Sequence, residues 1–132
     1  MATLPRRNGF TLIELLIAMV LIAILATIGI SRLWSVKDKA LVGSIKSDLR
    51  NFASLQEDYF QKNYNYAPTT AAILDFIPSS GVTITVTANA IDGWAATGAH
   101  TSLPGQACGY FTGNATAADA PPATHNGVIG CN

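Results

Sequence analysis

Basic side chains are missing from the second half of this chain, since no lysine or arginine follows Lys62. The 132 residues include eight basic and eight acidic side chains, and charged residues make up only 12% of the sequence. Proteins that bind nucleic acid through bulk charge carry a clear excess of basic residues. The composition therefore excludes that class, and the charge of the C-terminal half does not support DNA binding.

Residues suited to catalysis are also scarce. The two histidines, His100 and His125, are predicted to be exposed loop residues, and no Cys, Asp or Glu stands at metal-ligand spacing from either. The sequence contains no phosphate-binding loop, dinucleotide fingerprint or nucleophile elbow. We therefore predict that the chain is not an enzyme and has no metal site and no cofactor.

Only two cysteines are present, Cys108 and Cys131. In an exported domain an even number of cysteines suggests a disulfide, whereas a reducing compartment would leave two free thiols. The sequence predicts one Cys108–Cys131 bridge if the domain is exported.

The chain does have one long apolar stretch, residues 10–30, which is interrupted only by two threonines and by Glu14. As a helix it would cover roughly 30 Å, the thickness of the hydrocarbon core of a bilayer. Arg6 and Arg7 precede it without any acidic residue, which places the N-terminus on the cytoplasmic side. A membrane helix is predicted.

Three simpler interpretations of this stretch are a cleaved secretory signal, an ordinary membrane anchor and a buried core helix. A cleaved secretory signal has a shorter apolar region of about 7–15 residues. An ordinary membrane anchor fits the length but does not explain Glu14, because an unpaired carboxylate in hydrocarbon costs a few kcal/mol. A buried core helix would need a second apolar element to cover it, and the chain has none. We therefore expect Glu14 to have a partner outside this chain, or to stay ionised at the cytoplasmic interface.

The residues at the start of the apolar stretch resemble those of a known family. The sequence Arg-Arg-Asn-Gly ending at Gly9, followed by Phe-Thr-Leu-Ile-Glu ending at Glu14 and an aliphatic run, resembles type IV pilins and pseudopilins. The resemblance implies cleavage between Gly9 and Phe10 by a prepilin peptidase, N-methylation of Phe10, and polymerisation in which Phe10 and Glu14 take part. Many relatives have a proline at the position of Ser31.

The resemblance also implies a role and a location. The closest fit is a type IVa-like pilin, a homopolymeric filament subunit for adhesion, twitching motility or DNA uptake. Before assembly it would be stored among inner-membrane lipids, and after assembly by a separate pilus machinery it would be extracellular. The alternatives are a pseudopilin of a type II secretion system and a minor pilin with a ligand-binding head.

After residue 30 the helical pattern continues to about Asn63 but becomes amphipathic, and Pro68 follows in a stretch typical of turns. The apolar residues that recur at helical spacing are Leu41, Ile45, Leu49, Phe52, either Leu55 or Gln56, and Tyr59. Alternation predicts a strand at 82–87 whose Val82, Ile84 and Val86 face this helix, and further strands are expected at 93–99 and 107–112. Residues 113–131 are predicted to be a long loop closed by Cys131. The fold class is α+β, with a long helix packed on a sheet of three to four antiparallel strands.

We divide the chain accordingly into four segments. They are a cleaved leader (1–9), a transmembrane and assembly helix (10–30), the amphipathic half of the helix (31–63) and a globular β head with a C-terminal disulfide loop (64–132).

Overall fold

The computed structural model describes residues 9–132, with the exception of the side chains of residues 31 and 32. Apart from Gly9, the predicted leader lies outside the described residues, as do Arg6 and Arg7. The chain divides into two units, residues 1–37 and residues 38–132.

The elements follow one another in the predicted order. They are helix α1 (Leu12–Asn63), a 3₁₀ turn (Thr70–Ala72), strands β1 (Val82–Ala90), β2 (Gly93–His100) and β3 (Ala107–Gly113), a second 3₁₀ turn (Ala117–Asp119) and strand β4 (Gly130–Cys131). This confirms the α+β class. The helix begins two residues later than the predicted start at Phe10.

Helix α1 is continuous through Gly29 and residue 31, where poor helix formers stand. It ends at Asn63, and the next residue, Tyr64, has a positive φ of 54°. The predicted stop ahead of Pro68 is therefore confirmed.

Within residues 38–132, the C-terminal half of α1 packs on the sheet through one apolar face. Ile45, Leu49 and Phe52 are fully buried on this face, as their spacing of three and four residues predicts. They contact Val82 and Ile84 of β1, so the alternating strand turns its apolar side toward the helix, as predicted.

The four strands form an antiparallel sheet in the order β1-β2-β3-β4. Strands β1 and β2 are joined by a two-residue turn, and their register runs from Val82 opposite His100 to Ala90 opposite Gly93, with an irregularity between Val86 and Ala88. The short strand β4 pairs with the start of β3. It lies inside the segment predicted to be a loop, so that prediction was wrong for the last residues.

Strand β2 is buried on both faces, because each face is covered by a different part of the chain. A methyl group at Gly98 would lie 2.7 Å from Cγ2 of Ile45, so the absence of a side chain lets α1 approach the sheet. On the opposite face, Ala95 and Phe111 pack against Ala120 and Ala123. Much of the C-terminal segment is therefore a cover for the sheet rather than a free loop.

Two buried polar side chains of α1 hold the segment that connects the helix to β1. The amide of Gln56 accepts a hydrogen bond from Ala67 N at 2.7 Å and donates one to Ala67 O at 3.0 Å. The carboxylate of Asp48 accepts hydrogen bonds from the backbone N and the hydroxyl of Ser79, at 2.7 and 2.9 Å. The connection is therefore tied to α1 near both of its ends.

The disulfide between Cys108 and Cys131 is formed. The two residues are direct partners in the β3–β4 ladder, so the bridge fastens the last strand to the sheet.

Candidate processing and assembly site

The predicted cleavage junction lies just before the helix. Gly9 and Phe10 have no regular secondary structure, and the side chain of Phe10 is 88% exposed. A peptidase binds its substrate in an extended form, which a bond inside a helix cannot adopt without local unfolding. The bond between Gly9 and Phe10 lies outside the helix, so cleavage there does not require the helix to unfold.

Thr11 and Glu14 form a reciprocal cap at the first turn of α1. The Glu14 carboxylate accepts hydrogen bonds from the backbone N and the hydroxyl of Thr11, both at 2.9 Å, and Glu14 N donates to the Thr11 hydroxyl at 3.4 Å. This is the capping-box arrangement, in which an N-terminal Thr and a Glu three residues later satisfy each other's backbone donors. A negative charge at this end also interacts favourably with the helix dipole.

The cap gives Glu14 partners within its own chain. Sequence reasoning expected a partner outside the chain or a solvated carboxylate, and it did not identify Thr11. The signal was available, because Thr-x-x-Glu ahead of an apolar run is the sequence pattern of a capping box.

Residues 12–30 form a helix that is apolar on every side. Its large apolar side chains are all at least 53% exposed, and none is covered by another part of the described chain. Among the described residues, α1 is the one helix long and apolar enough to cross a membrane, with a mean hydropathy of 2.7 in its most apolar window. Such a surface requires either lipid or other apolar helices around it.

The histidines and acidic residues of the described chain do not form a second candidate site. No group of three or more His, Cys, Asp or Glu residues able to hold a metal ion occurs in residues 9–132. His100 was predicted to be an exposed loop residue, but it is the last residue of β2 and is buried, with Nδ1 accepting a hydrogen bond from Ser102 N at 3.0 Å. His125 is exposed, and its Nδ1 lies 2.8 Å from the Thr124 hydroxyl.

Comparison with known proteins identifies the N-terminal segment. A family model described as the prokaryotic N-terminal methylation motif matches residues 4–30. A comparison with curated proteins gave no match.

The matched residues contain the Gly9–Phe10 junction, the Thr11–Glu14 cap and the exposed apolar helix. The motif implies processing by a prepilin peptidase and assembly into pilus-like filaments, and with the apolar helix it fits a membrane-anchored precursor. It points to a structural protein. The chain therefore carries the N-terminal methylation signature of type IV pilins and pseudopilins.

Proposed function

We propose that this protein is the structural subunit of a type IV pilus. The leader is removed between Gly9 and Phe10, Phe10 is N-methylated, and the mature subunits polymerise through the apolar helix of residues 10–30. The observation that carries the proposal is the exposure of this helix on every side, with Glu14 as its sole ionisable side chain.

Glu14 has a specific task in this assembly. Cleavage gives Phe10 a positively charged amine, and methylation keeps that charge. Both an ammonium and a carboxylate are costly to bury in an apolar bundle unless they are paired. When a subunit leaves the bilayer, its Phe10 amine is placed against the Glu14 carboxylate of an earlier subunit, which replaces the contact with Thr11 and sets the axial register.

Each of the four segments defined from the sequence has its own role in this proposed assembly. Residues 1–9 direct processing, residues 10–30 serve first as the membrane anchor and then as the filament core, residues 31–63 support the head, and residues 64–132 form the outer surface. The monomer is stored in the inner membrane, and the filament lies outside the cell. Its partners are copies of itself, the prepilin peptidase that also methylates it, and the pilus assembly machinery.

We assign no catalytic activity to the subunit. A filament of this kind serves adhesion, twitching motility or DNA uptake. Binding of DNA by the head itself is disfavoured, because residues 63–132 contain three aspartates and no lysine or arginine.

Electron microscopy of sheared surface filaments, with mass spectrometry of their main protein, tests the proposal. We expect long surface filaments whose main protein is this chain. Filaments seen only when the chain is overproduced, together with loss of protein secretion in a deletion strain, would assign it to a type II secretion pseudopilus instead. A main protein other than this chain would contradict the assignment to a major subunit.

A further inference from the structure

The surface of residues 38–132 differs in charge between the two sides of α1. On one side, Lys46 and Arg50 line a groove of about 350 Å³ together with Tyr110 and Val128. Arg50 is exposed and Val128 is 55% exposed. We call this the basic groove. It combines two positive charges one helical turn apart with apolar side chains at its edge.

On the other side, the connection between α1 and β1 projects two apolar side chains around a carboxylate. Leu74 is 91% exposed and Ile77 is 82% exposed, and Asp75 between them is also exposed. We call Leu74, Asp75 and Ile77 the acidic knob. The two aliphatic side chains stand on either side of the carboxylate in the sequence, so the knob combines one negative charge with exposed apolar surface.

The knob is presented by a well-packed segment. Ile73 and Phe76 alternate with the knob residues and are buried in the core. The Phe76 ring packs edge-on against the Phe52 ring, with the two ring centroids 4.9 Å apart. Ser79 is tied to Asp48 two residues after Ile77. A preorganised segment loses little conformational entropy on binding, which favours recognition.

The groove and the knob lie on opposite sides of α1. The knob borders a cleft that Leu55 and Lys62 also line, whereas Lys46 and Ala53 line the basic groove. Each of these pairs, Lys46 with Leu55 and Ala53 with Lys62, is nine residues apart, about two and a half helical turns. A single copy therefore cannot bring its own knob to its own groove.

We infer that the acidic knob of one subunit docks into the basic groove of a second copy of this chain, with Asp75 between Lys46 and Arg50. Within residues 9–132, none of these three side chains forms a salt bridge, so their charges are available. On the knob side Asp58 and Lys62 offset one another, which leaves Asp75 as the excess charge. On the groove side Glu57 lies near Tyr110 and offsets one of the two basic charges, which leaves one excess positive charge facing Asp75. The two surfaces are complementary in charge and share an apolar component.

This contact has the symmetry that a polymer needs. Because knob and groove are different surfaces, the contact is heterologous, and heterologous contacts propagate from copy to copy instead of closing a two-fold dimer. The inference rests on the proposed function, to which it adds a lateral contact between heads beside the packing of the apolar helices.

Charge exchange in the full-length protein tests the inference. In strains producing a single form, Asp75→Lys should reduce the yield of sheared filaments at least about tenfold, as should Lys46→Glu with Arg50→Glu, because like charges then meet across the contact. The triple variant that combines the changes should restore the yield. Asp92→Lys, which makes the same charge change at an exposed position outside the knob and also removes one hydrogen bond from the Asn114 side chain, is the control and should assemble normally.

A cross-link gives an independent readout. In filaments carrying Asp75→Cys and Arg50→Cys, oxidation should join subunits into covalent ladders, whereas Asp92→Cys with Arg50→Cys should not. Normal filaments from the Asp75→Lys strain, or failure of the triple variant to restore assembly while its native disulfide forms, would overturn the contact and leave the filament assignment standing. Absence of filaments from the unaltered chain would overturn both.

Discussion

At the scale of single residues, Glu14 has two successive partners in this account. In the described chain its carboxylate is held by Thr11, at the start of an apolar helix. In the proposed filament it would pair with the Phe10 amine of a neighbouring subunit. Both partners bind the same carboxylate. The hydroxyl of Thr11 contributes only to the first contact, whereas the charge of Glu14 is needed for the second, so substitutions can separate the two.

Glu14→Ala and Glu14→Gln test this separation. Both remove the charge that a neighbouring amine needs, and Glu14→Ala also removes a costly group from hydrocarbon, so insertion should be normal. We expect both variants to accumulate in the membrane with an intact disulfide and to form few or no filaments by electron microscopy. Thr11→Val, which keeps the carboxylate, is the matched control and should still assemble. Normal filament numbers from Glu14→Ala would show that apolar packing is sufficient.

Gln56 provides a second test at this scale. Its side chain is fully buried and makes two hydrogen bonds to Ala67. Gln56→Leu keeps the size but leaves a buried N–H and a buried carbonyl without partners, so the free energy of unfolding should fall by about 2–4 kcal/mol. Denaturant unfolding of the detergent-solubilised protein measures it. Gln61→Leu, at an exposed helical position, should change it by less than about 0.5 kcal/mol, and an equal loss in both variants would refute the role of Gln56.

The residues that the sequence predicted correctly are those whose position follows from periodicity. Ile45, Leu49 and Phe52 follow the helical repeat, and their burial is confirmed. The sequence alone leaves open whether Leu55 or Gln56 completes the stripe, because only the tertiary position of Ala67 makes a buried glutamine favourable. His100 was placed wrongly, since nothing local shows that β2 extends to it.

At the scale of elements, the disulfide reinforces the pairing of β3 with β4. Strand β4 has only two residues, and Cys131 lies opposite Cys108 in the ladder. Asn132 extends this pairing, because its side chain accepts a hydrogen bond from Ala107 N at 2.8 Å and its backbone N donates one to Ala107 O at 3.3 Å. A strand this short is marginal without such additional contacts, and the bridge is the covalent one.

Replacing both cysteines by alanine should lower the free energy of unfolding by roughly 3 kcal/mol, because the bridge closes a loop with a sequence separation of 23 residues. Chemical unfolding of the full chain in detergent measures the change. The unaltered protein in reducing buffer should show a similar loss. The bridge would be ruled out by the labelling of two thiols per chain in denatured, non-reduced protein.

The second 3₁₀ turn has a cap that depends on pH. Asp119 accepts hydrogen bonds from the hydroxyl and the backbone N of Thr116, which lower the pKa of its carboxyl below the ordinary value of 3.8. A lowered pKa means that this contribution to stability is present above pH 3.8 and is lost as the pH falls through the folded value. An NMR titration should therefore give Asp119 a pKa below 3.8, and Thr116→Val should raise it. Equal values in both proteins would contradict the cap.

The C-terminal segment shows where element prediction from sequence stops. Residues 113–131 are rich in Ala, Gly, Thr and Pro and have no periodicity, so a loop was the natural interpretation. Their contribution comes from tertiary contacts, in which Ala120 and Ala123 cover Ala95 and Phe111. Small side chains carry little hydrophobic signal in a sequence, but they allow the segment to lie close against the sheet.

At the scale of the whole molecule, two surfaces require partners. The helix of residues 12–30 exposes apolar side chains all round, and lipid and a bundle of identical helices both satisfy it. Residues 38–132 expose a basic groove and an acidic knob on opposite sides of α1. Assembly into a filament satisfies both surfaces at once, whereas a permanently anchored monomer satisfies only the first.

The intact mass of the subunit in sheared, purified filaments tests the central claim most directly. If the chain is a processed filament subunit, the mass will correspond to residues 10–132 with one added methyl group and with Cys108 and Cys131 oxidised. Peptide sequencing will then place the methyl group on the amine of Phe10. Filament subunits that still contain Met1–Gly9 would contradict the account.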